Sequence, residues 1–428
     1  MASTQDTQSI QAAQDKHGRN TRKPRGRHRT LKILLVLIVL LAAAIAGVVA
    51  YSYKTTLDSL SVTFTEASPE VEVGGDYSSM DYVSSSVGEV EASADMLDAD
   101  TVGDKTITFT VTQPMYAGLL VPTQEFTMDY SVVDTEDPII MWNGSGTVIQ
   151  KGTEFDINNV LAYGDNADPT PSVTVDGTVD TETNGSYQLH VTVTDASGNS
   201  DECDMTITVA DSVPTYTDDY PRTQFKDFTS AYKGKDRSFG LDVSVWQGDI
   251  DFEKVADSGC EFVMIRVGYS SEGDMTVDSK FEQNLERAKA AGLKVGVYLY
   301  CCDNSETTVR ASADRVLEEL GGAELDLPVA FDWEDFGRFQ SYEISFAQLN
   351  DLYDYFADEI STGGYDCMLY GNKNALELVW KDTDTRPVWL ANYTDKTEYK
   401  GPYRIWQASS TGRIDGIDAD VDMDIMYE

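Results

Sequence analysis

The sequence predicts a multidomain chain: one transmembrane helix, two all-β sandwich modules, and a C-terminal irregular α/β (β/α) barrel. Three observations carry that expectation. Residues 33–53 contain no charged side chain. Residues 57–211 run in short Thr/Val/Ile-rich stretches without a helical period. From Phe239 onward, strand-like and helix-like patterns alternate to the C-terminus.

The N-terminal segment, residues 1–32, is basic, with eight Lys/Arg against Asp6 and Asp15, whereas the whole chain carries a net charge of −41. The uncharged run Ile33–Tyr51 that follows is long enough to cross a hydrocarbon core as a helix. The cations before it place the N-terminus in the cytoplasm and the remainder outside, as a single-pass signal anchor over 33–53. The competing reading is a cleaved secretory signal, since Ala42–Ala50 is rich in small residues. Either way the remainder is exported. Its acidic surface will not hold nucleic acid or anionic lipid by counterion release, so no nucleic-acid partner is expected. Oligomeric state is not legible. The five cysteines (Cys203, Cys260, Cys301, Cys302 and Cys367) are too few and odd in number for a disulfide framework.

Residues 57–135 and 136–211 read as two modules because the sequence repeats. Asp100–Thr112 aligns with Glu182–Thr194, Gly103 falling on Gly185, and each copy ends in an alternating Thr/Val strand. The second copy, from Asp137-Pro138-Ile139 through Asp195-Ala-Ser-Gly-Asn199 and Thr206-Ile-Thr-Val209, resembles the immunoglobulin-like repeats of bacterial surface proteins. The first resembles them faintly and carries an extra loop at Pro114–Pro122. The acidic turns Asp165–Asp168 and Asp195–Asp201 are able to hold calcium. Such Asp/Asn/Gly clusters are first of all turn formers, and no metal site is assigned. His190 reads as a packing or surface residue, and the modules as spacers.

Residues 212–237 form a linker whose aromatics (Tyr216, Tyr220, Phe225, Phe228, Tyr232) indicate that part of it lies against a domain surface. Within 238–428, strand-like runs are Gly240–Val245, Phe262–Val267, Lys294–Tyr300, Pro328–Asp332, Cys367–Tyr370, Val388–Ala391, Tyr403–Gln407 and Ala419–Ile425. Helical patterns cover Asp251–Asp257, Asp278–Ala291, Glu306–Leu320 and Phe346–Ile360. The alternation predicts a parallel barrel, slightly short for an eightfold one, with its reacting groups at the strands' C-terminal ends. Asp249 and Asp251 read as cap and first-turn acids of the first helix.

The chemistry of this region must run on carboxylates. The three histidines, His17, His28 and His190, all lie upstream, so no histidine triad or histidine-bound zinc can form from it. No cofactor is called for. Asp332 and Glu334, two apart at the end of a strand, point the same way. Asp242 in the first strand and Asp422 in the last join them if the barrel closes. Tyr298, Tyr300, Trp389, Tyr393 and Trp406 fall near other strand ends, where flat rings can stack on sugar faces.

Gly240-Leu-Asp-Val-Ser-Val-Trp-Gln-Gly-Asp-Ile-Asp251, Phe262-Val-Met-Ile-Arg266, Ala291–Tyr298 and Pro328-Val-Ala-Phe-Asp-Trp-Glu334 occur in order, followed by Val388–Tyr393, Ile405-Trp-Gln407 and Val421-Asp-Met-Asp424. The set resembles glycoside hydrolase family 25, the Chalaropsis-type lysozymes, over residues 238–428. The resemblance implies a muramidase that cuts the β-1,4 bond between N-acetylmuramic acid and N-acetylglucosamine, with peptidoglycan glycan strands as its partner. Carried over by position, the acidic residues are Asp242, Asp332, Glu334 and Asp422. Glu334 is the expected general acid, its pKa raised by repulsion from the other three, and Asp332 the group assisting the substrate acetamido. The stretch Tyr300-Cys301-Cys302 departs from the family, which more often has a histidine there. Two alternatives remain: a catalytically weak peptidoglycan-binding scaffold, and a glycosidase of related chemistry on chitin-like polymers.

Overall fold

The computed structural model describes residues 27–215 and 220–427. The basic residues before Arg27, and Tyr216 of the linker, lie outside the described residues. Two compact units are distinguished. One comprises residues up to Ala67, Ser78–Asp95 and Thr106–Met128; the other comprises Ser68–Tyr77, Met96–Lys105 and Asp129 onward. The first unit holds a continuous helix, Arg27–Leu57, whose apolar side chains are exposed along its length. It is long and apolar enough to cross a membrane. In the same unit Ser61–Phe64 pairs antiparallel with Val83–Val87, and Glu89–Ala92 with residues 109–112.

The internal repeat is visible as equal strands. Gly103–Thr112 and Gly185–Thr194 are both ten residues long, and their successors, Thr123–Val133 and Ser200–Ala210, both eleven. In the second copy the sheet order is 172–176, 185–194, 200–210, 148–150, with a separate pair Ile139–Trp142 and Ala162–Gly164. Leu189, Val191 and Val193 bury one face of the central strand against Leu161, Met205 and Ile207, while the intervening residues face outward. His190 is one of those outward residues, paired with Asp204 at 2.9 Å.

The C-terminal region is a closed ring of eight strands: β1 Arg237–Val243, β2 Phe262–Ser271, β3 Lys294–Cys301, β4 Val329–Asp332, β5 Cys367–Asn372, β6 Val388–Ala391, β7 Ile405–Arg413 and β8 Val421–Tyr427. Between them lie α1 Phe252–Asp257, α2 Phe281–Ala290, α3 Glu306–Leu320, α4 Phe346–Thr362 and α5 Lys373–Leu378. Caps set the helix starts: Asp251, expected as the first-turn acid, is itself the N-cap, its Oδ1 accepting from Lys254 N, and Ser305 and Ser345 each complete a capping box. Asp249 instead pairs with Lys280.

The ring corrects the expected all-parallel barrel at its last strand. β8 runs antiparallel to both β7 and β1 and is the strand that closes the ring. Only residues 414–420 connect β7 to β8, too short for the crossover a parallel strand needs.

Side-chain alternation then divides the barrel into two layers. Leu241, Val263, Val295, Val297, Phe331, Leu369, Leu390 and Ile425 face the helices, whereas Phe262, Met264, Ala330, Met368, Trp389 and Ile405 fill the interior. The linker is more deeply integrated than a surface contact. Thr223–Gln224 pairs parallel with Gly412–Arg413, and the short helix Phe225–Ala231 buries Phe225 and Phe228 in the outer core.

Candidate active site

Alternation along each strand decides what reaches the mouth. Asp242, Arg266, Tyr298, Tyr300, Asp332, Tyr370, Trp389, Gln407 and Asp422 are all interior positions near the C-terminal ends of the parallel strands. With Ser244, Trp246, Gln247, Glu334 and Tyr393 they line one cavity of roughly 260 Å³. The four carboxylates expected from the sequence are therefore brought together. Four of the five proposed aromatics join them: Tyr298, Tyr300, Trp389 and Tyr393.

Trp406 does not. It is the outward neighbour of Gln407 on β7, packs edge-on against linker Tyr232, and donates its indole N–H to Asn392 O at 2.8 Å. Its expected sugar contact is corrected to an outer-core role. Trp389 reaches the cavity but is no open platform: it is buried, edge-on to Tyr298 and Tyr370, and its Nε1 donates to Asp424 Oδ1 at 2.8 Å. Exposed rings at the rim are Tyr393 and Trp246, the latter 76% accessible at the short 3₁₀ turn after β1.

The antiparallel closure places Asp242 directly opposite Asp422 and Gln407 opposite Asp424. Opposed residues on such a ladder lie about 5 Å apart at Cβ. Gln407 organises the group. Its Nε2 donates to Asp242 Oδ2 at 2.7 Å and to Asp422 Oδ2 at 3.3 Å, while its Oε1 accepts from Tyr393 at 2.8 Å and Tyr370 at 3.0 Å. Because an amide has one donor end and one acceptor end, two carboxylates on one side and two phenols on the other fix its orientation.

Burial, more than charge, sets the ionisation. It pushes Asp242 well above the usual carboxylate range, with the Asp424 charge adding to it and Gln407 opposing. Asp422 is pushed up to about 9 by burial and then by Asp242, and Asp424 to about 8 by burial, eased by the Trp389 hydrogen bond. Asp332 is raised well above its ordinary value by burial, then by Glu334 and Asp242, against Arg266. Arg266 is itself bound to Asp278 at 2.8 Å.

Glu334 is raised too, first by the protein wall around its carboxyl and then by adjacent Asp335. Repulsion between Glu334 and two of its expected neighbours, Asp332 and Asp422, acts here as well and raises those two carboxyls. Asp335 is held by Arg338 at 2.7 Å and by the Tyr342 hydroxyl at 2.6 Å. Although its carboxyl is walled in, the Glu334 side chain remains solvent-accessible, which suits a group that must exchange protons.

The turn after β4 is anchored from behind. Trp333, between the two acids, faces the helix layer and donates to Asp303 O at 3.1 Å. The Asp303 carboxylate accepts from Ser270 Oγ, Ser312 Oγ and Gly273 N at 2.6–2.9 Å. Cys301 Sγ lies 3.4 Å from the same carboxylate and faces the helix layer, so the Cys301-Cys302 departure leaves the cavity-lining carboxylates untouched. All five cysteines are free thiols.

The raised Asp424 has a testable consequence for stability. Below about pH 4 its folded and unfolded forms are both protonated. Between that point and about 8 only the folded form keeps its proton, so stability falls as pH rises through this window. Asp424→Asn keeps an acceptor for Trp389 and removes this contribution. The decline in urea-unfolding stability from pH 5 to pH 8 should flatten by up to about 1.4 kcal/mol per pH unit. An unchanged slope would show that Asp424 does not hold the proton.

Residues 241–417 match the family model "Glycosyl hydrolases family 25", and residues 141–209 match "Bacterial surface protein, Ig-like domain". The autolytic lysozyme of Clostridium acetobutylicum is 31% identical over 195 residues, covering 44% of this chain and 56% of that protein. Lysozyme M1 of Streptomyces globisporus is 29% identical over 196 residues, covering 43% of this chain and 65% of that protein. The chain thus spans less than two-thirds of the length of either relative. The solved spore cortex lytic enzyme SleM of Clostridium perfringens is 20% identical, covering 45% of this chain and 68% of that one, with a TM-score of 0.40. Residues 241–417 are therefore a family 25 glycosyl hydrolase domain, carried on this chain behind a bacterial surface Ig-like domain.

Proposed function

We propose that the chain is a membrane-anchored cell-wall muramidase that hydrolyses the β-1,4 bond between N-acetylmuramic acid and N-acetylglucosamine. The observation that supports it best is the placement of two raised carboxyls, Asp332 and Glu334, at the end of β4, across one cavity from the Asp242–Asp422 pair. Glu334 serves as general acid: its raised pKa keeps a proton for the leaving oxygen, and its accessibility allows recharging. Asp242 and Asp422 sit opposite, both pushed up by burial, and Gln407 holds them at the floor of the site. Trp246, Tyr300 and Tyr393 offer ring faces to sugars at the rim.

Activity is read by turbidity loss of a cell-wall suspension and by mass spectrometry of released muropeptides. Glu334→Gln should lower kcat about 10²–10⁴-fold with the fold intact. Near-normal turnover would remove Glu334 from the acid role, and an inactive wild-type chain would favour the binding scaffold. Chitin fragments released in place of muropeptides would favour the chitin-like reading.

Asp332 is assigned to orient the acetamido group of the sugar as an internal nucleophile. Its Oδ1 is buried without a hydrogen-bond partner, an acceptor position that an acetamido N–H would fill. Substrate assistance retains configuration. NMR of the first-formed product should therefore show the β-anomer, whereas an initial α-anomer would point to a water activated by Asp242 or Asp422.

The helix Arg27–Leu57 is assigned as the anchor, with residues 57–135 and 136–211 as spacers and the hydrolase domain outside. Protease shaving of intact cells should release the domain and leave the Arg-rich N-terminus protected. A soluble chain with a new N-terminus near Ala50 would instead identify a cleaved signal.

A further inference from the structure

Three carboxylates that no catalytic argument uses converge in the second unit. Asp134 follows the strand ending at Val133, while Asp165 and Asp195 come from two loops of the Ig-like domain. A ligand oxygen from each lies within 4.8 Å of the other two. All three are buried, at 7%, 0% and 7% exposure, and among the described residues no salt bridge reaches any of them. A buried cluster of like charges with no cation is strongly unfavourable.

Their local hydrogen bonds leave oxygens facing inward. Asp165 Oδ1 accepts from Ala167 N and Asp168 N at 2.9 and 2.6 Å, but its Oδ2 has no partner. Asp195 Oδ1 accepts from Gly198 N and Asn199 N, and its Oδ2 from Asn199 Nδ2 at 2.8 Å. Asp134 Oδ1 has no partner either.

A separate side chain points the same way. Asn166 is 5% exposed, and neither atom of its amide is hydrogen-bonded. It lies against the Asp134 carboxylate, as does Ser197, each offsetting part of the rise that burial imposes there. A buried amide whose oxygen has no donor, set beside bare carboxylate oxygens, offers a cation one more ligand. Burial, with repulsion from Asp134 and Asp195, also pushes Asp165 up to about 6.

We propose that Asp134, Asp165 and Asp195, with the Asn166 amide oxygen, bind one calcium ion. The donors are all oxygen, which selects hard cations over zinc or copper. Three carboxylates drawn from separated loops suit the larger ion's irregular six-to-eight coordination better than magnesium's strict octahedron. The ion would also bear on the hydrolase domain. The backbone carbonyls of Asp165 and Asn166 accept from Phe346 N and Ala347 N, at 2.7 and 3.1 Å, in the first turn of α4. Fixing this loop fixes its cap on α4, the helix that follows the β4 strand carrying Asp332.

The test uses the full chain in detergent, stripped with EDTA and titrated with calcium or magnesium alone. Isothermal titration should give one calcium per chain with Kd on the order of 10⁻³ M or tighter, and far weaker magnesium binding. Asp165→Asn and Asp134→Asn should each weaken calcium at least about tenfold. In EDTA both variants should melt no lower than wild type, because each removes a repelled charge; in calcium they should melt below it. Absence of calcium binding by wild type at roughly millimolar ion, or equal binding by a folded variant, overturns the site. Should one variant fail to fold in EDTA, that failure itself counts against the unsatisfied-charge argument, and the other variant decides the ligand assignment.

Discussion

The hydrolase domain depends on how its barrel is closed. A parallel eighth strand would have carried its side chains to the mouth on a different register from β1. The short β7–β8 connection instead turns β8 back on itself and sets Asp422 against Asp242 across an antiparallel ladder. Two buried carboxylates so placed cannot both ionise cheaply. Gln407, held by two tyrosines at its other end, is the neutral donor that lets them remain together. A lysine there would drive both to the charged form, and an apolar residue would leave them unpaired. The floor of the site is thus a hydrogen-bonded network made by topology.

The other wall obeys a different constraint. Asp332 and Glu334 flank Trp333, and that tryptophan is gripped from the helix side by Asp303, whose carboxylate is held in turn by Ser270 and Gly273 at the end of β2 and by Ser312 of α3. Alternation then leaves the acids no choice of direction. The contrast is useful: Asp332 is enclosed and Glu334 keeps a path to water, so near neighbours in sequence have distinct environments.

Much of this was legible because strands alternate. The Asp-x-Glu pair and the opposing Asp242 and Asp422 follow from period two and ring closure, and the helices from their apolar periodicity. The failures have equally local causes. On β7, Trp406 and Gln407 are adjacent and only one can face inward; ring chemistry favoured the wrong one, since the phase of a short strand is fixed by partners far away in sequence. Gln407, Arg266 and Asp424 stood inside recognised motifs, yet their roles require knowing which side chains face them. The direction of β8 was hidden as well, because a β-rich run reads the same in both directions. For Glu334, the rise in pKa and the repulsion among the carboxyls were foreseen, but the leading part played by burial and the added charge of adjacent Asp335 were not.

The linker carries a consequence for where this domain begins. The family match begins at Leu241, yet Phe225 and Phe228 complete the outer core, Thr223–Gln224 extends the β7 edge, and Arg222 pairs with Asp420 at 2.9 Å. The segment that matches the family and the segment that packs as one core therefore start at different residues. A domain excised at Leu241 would keep Asp242, Asp332 and Glu334 but leave a hydrophobic socket beneath Trp406 unfilled. A hydrolase domain meant to fold on its own should accordingly begin upstream of Tyr220, with the aromatic linker kept as part of the barrel it plugs.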